Sequence, residues 1–139
     1  MEAPRYKSGH IIFFRGNDWD KNLSPEELQR VTGQFMAWFE RLTREGKAIG
    51  GAPLENDGKI VSGSRGRTVS DGPFAESKAA IGGYFMLDVE SMDEAVEIAK
   101  QCPGLEYGSV VEVRPVAEIC SVKQRAQEYS PGQLAGATA

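Results

Sequence analysis

The residues best equipped for chemistry gather in the middle of the chain, in Ser70-Asp71-Gly72-Pro73-Phe74-Ala75-Glu76-Ser77-Lys78, with Tyr84 close behind. Asp71 leads them, because a carboxylate at the head of a rigid turn can take a proton as general base or orient a ligand. With Arg15, His10 and Tyr84 it makes a candidate ligand-binding set on the rim of a cleft between helices and sheet. No catalytic residue is assigned; Asp71 is the one to test first. Each of these residues also has a structural role to weigh against a functional one. Asp71 accepts amide hydrogen bonds in an Asx-type turn, Pro73 fixes its own φ, and Phe74 anchors the turn in a core or seam. Glu76 and Lys78 form an exposed pair contributing about 0–1 kcal/mol. His10 opens a buried strand, as a hydrogen-bonded core histidine does, and Arg15 ends it as a surface cation does.

The rest of the composition removes chemistries. His10 is the sole histidine, so Ser/His or Cys/His nucleophile pairs are excluded unless it serves as the base. Cys102 and Cys120 lack the number and spacing of a disulfide framework or a metal site and read as buried thiols. No cofactor or metal is expected. Sixteen Lys and Arg against 20 Asp and Glu give a net charge of -4, which argues against a nucleic-acid partner. Gly63-Ser64-Arg65-Gly66-Arg67-Thr68 superficially resembles a phosphate loop, but no helix follows it, so Arg65 and Arg67 read as solvated charges. No apolar run is long enough to cross a bilayer, and Met1-Glu2-Ala3-Pro4-Arg5 lacks the apolar stretch of a signal peptide; the expectation is a cytoplasmic protein with no membrane partner.

The elements that would position these side chains are legible in order. His10-Ile11-Ile12-Phe13-Phe14 is a continuously apolar run of the kind buried on both faces. Ser24-Pro25-Glu26-Glu27 is a capping box, and Leu28, Val31, Phe35, Trp38, Phe39 and Leu42 follow at helical spacing until Gly46 stops the helix. Trp38 and Phe39 are expected in the core. Residues 47–54 form a second strand whose paired glycines allow a bulge. Asn56-Asp57-Gly58-Lys59 opens a hairpin, with arms at 59–63 and 66–70 around a turn at Ser64-Arg65. Residues 81–89 make a third core strand. Ser91-Met92-Asp93-Glu94 reads as a second capping box, with Ala95, Ile98, Ala99 and Cys102 on one helical face ahead of a stop at Pro103-Gly104. Val110-Val111-Glu112-Val113-Arg114 closes the set, Glu112 pairing with a cation across the sheet.

This order predicts one domain over residues 1–118, with a hairpin insertion at about 55–70, followed by a C-terminal arm and flexible tail over 119–139. The fold class is α+β: a ferredoxin-like split βαβ arrangement, its antiparallel sheet carrying both helices on one face. Strands apolar on both sides need cover on the second face, so a homodimer packed sheet on sheet is expected, a dimeric α+β barrel.

Asp71-Gly72-Pro73-Phe74-Ala75-Glu76 with Lys78, Gly82-Gly83-Tyr84, Ser91-Met92-Asp93-Glu94-Ala95 and Val111-Glu112-Val113-Arg114-Pro115-Val116 together resemble the YCII-related family, in its branch named for the DGPF motif. The resemblance runs from His10 to Glu118 and implies a dimeric α+β barrel. Better-known relatives carry a histidine on the first helix and a nearby aspartate as a proposed catalytic pair; the first helix here has no histidine, so that pair is not carried over. Two functions are expected to compete. One is a homodimeric small-molecule binding protein or weak enzyme with a cleft near the DGPF segment. The other is a regulatory or protein-interaction module, implied by relatives encoded beside or fused to sigma factors.

Overall fold

The computed structural model describes residues 9–16, 18–73 and 80–129. The first apolar run forms strand β1 (His10–Arg15). The capping box starts helix α1 (Pro25–Arg44): the Glu27 amide donates to the Ser24 hydroxyl at 3.1 Å, and Glu27 Oε1 accepts from the Ser24 amide at 3.1 Å. The helix ends at Glu45, and Gly46 follows at φ +74°, where a side chain would be strained. Strand β2 (Ala48–Pro53) comes next, then the hairpin strands β3 (Asp57–Ser62) and β4 (Thr68–Pro73) around a 3-10 turn at Ser64–Gly66. Strand β5 (Ile81–Leu87), helix α2 (Met92–Ala99), a 3-10 segment at Pro103–Tyr107, strand β6 (Val110–Pro115) and helix α3 (Ser121–Glu128) complete the described chain.

The sheet order is β2-β5-β1-β6 with every pairing antiparallel, the ferredoxin-like order expected from two strand-helix-strand halves. Register decides which side chains reach the core. Ile12 stands opposite Phe85 on β5 and Val113 on β6, while Phe14 stands opposite Gly83 and Val111. On that face Ile12, Leu87 and Ala48 pack with Trp38 and Leu42 of α1 and with Ala95, Ile98 and Ala99 of α2. An aromatic cluster runs through it. Phe14 meets Phe85 edge-on at 4.8 Å between ring centroids, and Phe85 in turn lies 5.0 Å from Trp38 and 4.7 Å from Phe39. Such pairs add about 0.5–1.5 kcal/mol each beyond the area they bury.

Several local expectations change. Asp57 and Gly58 begin strand β3 rather than forming a turn, and Asp71, Gly72 and Pro73 continue strand β4 opposite them rather than forming one. Ser91 accepts from the Glu94 amide at 3.1 Å, but the reciprocal half of the second capping box is missing, and the Glu94 carboxylate lies 3.9 Å from Lys47 Nζ instead. Helix α2 also ends at Ala99, so Cys102 sits beyond it, and the Pro103–Tyr107 segment carries the chain back to β6. The bulge allowed by the paired glycines is present between Ala48 and Gly50.

The hairpin of β3 and β4 forms a sheet of its own. Every β3 residue is exposed, and Val61 and Val69, paired across the strands, keep 63% and 60% of their surface in solvent. The sheet face turned from the helices carries Ile11, Phe13, Tyr84 and Met86, all half-buried, with Arg15 held 3.5 Å from Glu112.

Candidate functional site

A cavity of about 640 Å³ opens beside the core, between α1, the paired strands β2 and β5, and the loop after β1. It opens along one flank of the apolar stripe of α1, where Val31 is buried but Leu28, one turn earlier, is not. Trp38 and Leu42 near the C-terminal end of the helix are buried, whereas Leu28 near the start keeps 39% of its surface exposed and lines the cavity with Phe35 and Phe39. Phe14 and Phe85 supply its floor from the sheet, and Trp19 reaches in from the loop. Small residues keep it open: Gly51, Ala52, Gly82 and Gly83 line the strand side. At Gly51 an added Cβ would lie 2.7 Å from the Tyr84 carbonyl oxygen and 2.9 Å from the Phe85 ring.

Trp19 is placed by its neighbours. Its ring lies 6.0 Å from Phe35 and stacks at 24° over Tyr107, 6.4 Å away. The Tyr107 hydroxyl accepts from Arg30 Nη2 at 3.1 Å, a bond that raises the guanidinium pKa above its ordinary value. Polar groups are few: Asp20, Thr32, Asn56 and Ser109 line the cavity, and no Lys, Arg or His does among the described residues. An aromatic cavity of this size with a few polar groups has the make-up of a small-molecule site.

A second hollow, about 830 Å³, lies between α1 and α2. It is a weaker candidate because its polar side chains already serve one another. Gln101 Oε1 accepts from Trp38 Nε1 at 3.1 Å and from Arg41 Nη2, and Lys47 lies 3.6 Å from Glu45.

The four residues expected to converge do not do so within one chain. His10 is buried on the helix side, where its Nδ1 lies 2.9 Å from the Val89 carbonyl oxygen. Arg15 is five residues further along β1, about 17 Å away at about 3.3 Å per residue, and its odd-numbered separation places it on the opposite face. Tyr84 shares that outer face opposite Phe13, close to the Arg15–Glu112 pair in the sheet. Asp71 stands on β4 with 81% of its side chain exposed, paired with Lys59 of β3. The physical reason is register: strand period two separates His10 from Arg15, and the hairpin carries Asp71 off the main sheet. Phe74, Glu76 and Lys78 of the central segment lie outside the described residues.

Sequence reasoning missed Trp19 and Ser109. A tryptophan inside Asp18-Trp19-Asp20 is an apolar outlier in a polar loop, and that signal pointed to Trp19; nothing local marks Ser109. Among the described residues no helix is long and apolar enough to cross a membrane.

Comparison with known proteins adds three findings. The model of the YCII-related domain matches residues 14–119. An uncharacterised protein of Rhizobium meliloti (strain 1021) is 32% identical over 115 residues, covering 80% of this chain and 85% of its own. The solved structure of a 5-chloro-2-hydroxyhydroquinone dehydrochlorinase from Burkholderia phenoliruptrix AC1100, bound to 2,5-dihydroxybenzoquinone, aligns over 74% of this chain and 90% of its own at 18% identity and a TM-score of 0.36.

Proposed function

The chain belongs to the YCII-related family, and from that premise we propose that it is a homodimeric, cytoplasmic small-molecule binding protein or weak enzyme of the DGPF-motif branch. The aromatic cavity carries this reading: five rings, Phe14, Trp19, Phe35, Phe39 and Phe85, line about 640 Å³ of space beside a finished core. That volume falls within the range of about 300–1,000 Å³ typical of ligand pockets. The cavity borders Leu54 and Gly82, where the chain leaves and rejoins the main sheet around the hairpin, and this supports a ligand cleft on that side of the domain. In this reading the domain extends to about residue 118, with 119–139 as an arm and tail.

The outer face of the sheet supports the dimer. Ile11, Phe13, Tyr84 and Met86 form an apolar strip that a second copy would cover, with Arg15 and Glu112 at its margin. Native mass spectrometry of freshly purified protein tests both halves: a dimer carrying a retained small molecule is expected. Thr32→Trp, which fills the cavity from an exposed position on α1, should release that mass without dissociating the dimer. A bare monomer would sink the reading.

A second reading, a protein-interaction or regulatory module of sigma-factor systems, draws on the projecting hairpin. Val61, Val69 and the Lys59–Asp71 pair share one exposed face of it, which makes Asp71 a recognition residue there rather than a base. Pull-down from the native host with wild type and with Val61→Asp separates the two: a partner lost in that variant supports the module, and an unchanged catch rejects it.

A further inference from the structure

Ser109 differs from the other polar groups lining the cavity. Only 7% of its surface is exposed, and its hydroxyl has no hydrogen-bond partner among the described residues. Its amide is satisfied by the Gly104 carbonyl at 3.1 Å, so the side chain is not needed to cap that turn. A buried hydroxyl left unpaired costs free energy, and buried polar groups are usually bonded to protein, water or ligand. The cavity wall around it is aromatic, and the one ionisable side chain on that wall is a carboxylate, Asp20, among the described residues. Ring faces attract flat rings and cations, while a carboxylate and an apolar wall both disfavour an anion.

We infer that the cavity takes a flat aromatic ring bearing an uncharged hydrogen-bonding substituent, with Ser109 as the buried group that receives this substituent and aromatic acids or phosphates excluded. This rests on the cavity being a ligand site and names its ligand class. The bond needs only that the substituent donate to or accept from the serine oxygen, so a hydroxyl, carbonyl or amide on the ring satisfies it. Ring stacking on Trp19, Phe35 and Phe85 supplies affinity independent of that bond, so the two contributions can be separated.

Three probes with one ring system do so: naphthalene, 2-naphthol and 2-naphthoate, titrated calorimetrically into wild type and Ser109→Ala. In wild type 2-naphthol should bind about tenfold more tightly than naphthalene, the fold-change of one buried hydrogen bond, and 2-naphthoate should bind most weakly. Ser109→Ala keeps the Cβ that packs beside Gly104, so folding is expected to hold, which its melting curve checks. There the preference for 2-naphthol should vanish while naphthalene binds unchanged. Naphthoate binding as well as naphthol, or a naphthol preference that survives in Ser109→Ala, overturns the assignment and leaves the cavity reading intact. If none of the three binds, the ligand class is rejected, and the cavity reading is decided by the retained mass and its loss in Thr32→Trp.

Discussion

Trp19 and Phe35 lie with ring centroids 6.0 Å apart and planes 36° from parallel, one on the loop after β1 and the other on α1. Phe35 also lies 6.0 Å from Trp38 and so links the loop ring to the core, while the other ring contact of Trp19, Tyr107, lies outside the core cluster. The end of the cavity can therefore be altered without opening the core.

The two tryptophans should consequently respond in opposite ways. Trp38→Ala removes a ring that is 3% exposed and should cost about 3–5 kcal/mol of stability, read from urea melts. Trp19→Ala should cost about 1 kcal/mol or less and yet weaken naphthalene at least tenfold. Equal losses of stability in the two variants would contradict the division between core and cavity.

Neighbouring glycines in β2 make a second contrast. Gly51→Ala places a Cβ against the Tyr84 carbonyl, the Phe85 ring and, at 3.2 Å, the Phe39 ring, so it should destabilise by about 1–3 kcal/mol and narrow the cavity. Gly50→Ala meets nothing within 4 Å and should be neutral or slightly stabilising. Thermal unfolding of both variants is the check.

The capping box of α1 predicts a pH effect. Glu27 has its pKa lowered, chiefly by the hydrogen bond from the Ser24 amide and then by the Ser24 side chain. A depressed carboxylate contributes stability that is present above its unfolded pKa and lost as pH falls through the folded one. Glu27→Gln keeps an acceptor without the titration, so its stability should fall less than that of wild type between pH 6 and the acid limb. Ser24→Ala should cost about 1 kcal/mol at neutral pH. Urea midpoints across pH would show parallel curves for wild type and Glu27→Gln if the cap does not contribute.

The cysteines should differ in reactivity. Backbone amides of Lys123 and Val122 at the start of α3 lower the Cys120 thiol pKa, while burial raises that of Cys102. Iodoacetamide at pH 8 should modify Cys120 first and reach Cys102 only on unfolding, as peptide mass spectrometry reports. Faster labelling of Cys102 in the native state would contradict its placement in the core.

The elements were legible wherever pattern and punctuation agree. Ser24-Pro25-Glu26-Glu27 determined the start of α1 to the residue, and the apolar run at His10 determined β1, because capping and burial are encoded within a few positions. Glu112 pairs across the sheet with Arg15, as its place in an alternating strand suggested, and also lies 4.0 Å from Arg114 of its own strand. The cavity was not legible, because it is built from Phe14, Trp19, Phe35, Phe85 and Ser109, which are far apart in sequence and meet only through register and helix packing. Type and spacing alone selected His10, Arg15, Asp71 and Tyr84, and spacing along the chain says nothing about a hairpin that folds away from the sheet.

That hairpin has a consequence for how the chain tolerates change in length. Leu54 donates its amide to the Gly82 carbonyl at 2.9 Å, and Pro53 stands opposite Gly83, so the main sheet is already zipped shut where the excursion begins. In antiparallel neighbours those ends are about 5 Å apart, the gap that a tight turn spans. The hairpin of β3 and β4 is thus, topologically, an excursion inserted between β2 and β5. Since closure entropy grows only logarithmically with loop length, residues can be added or removed there at little cost to the core.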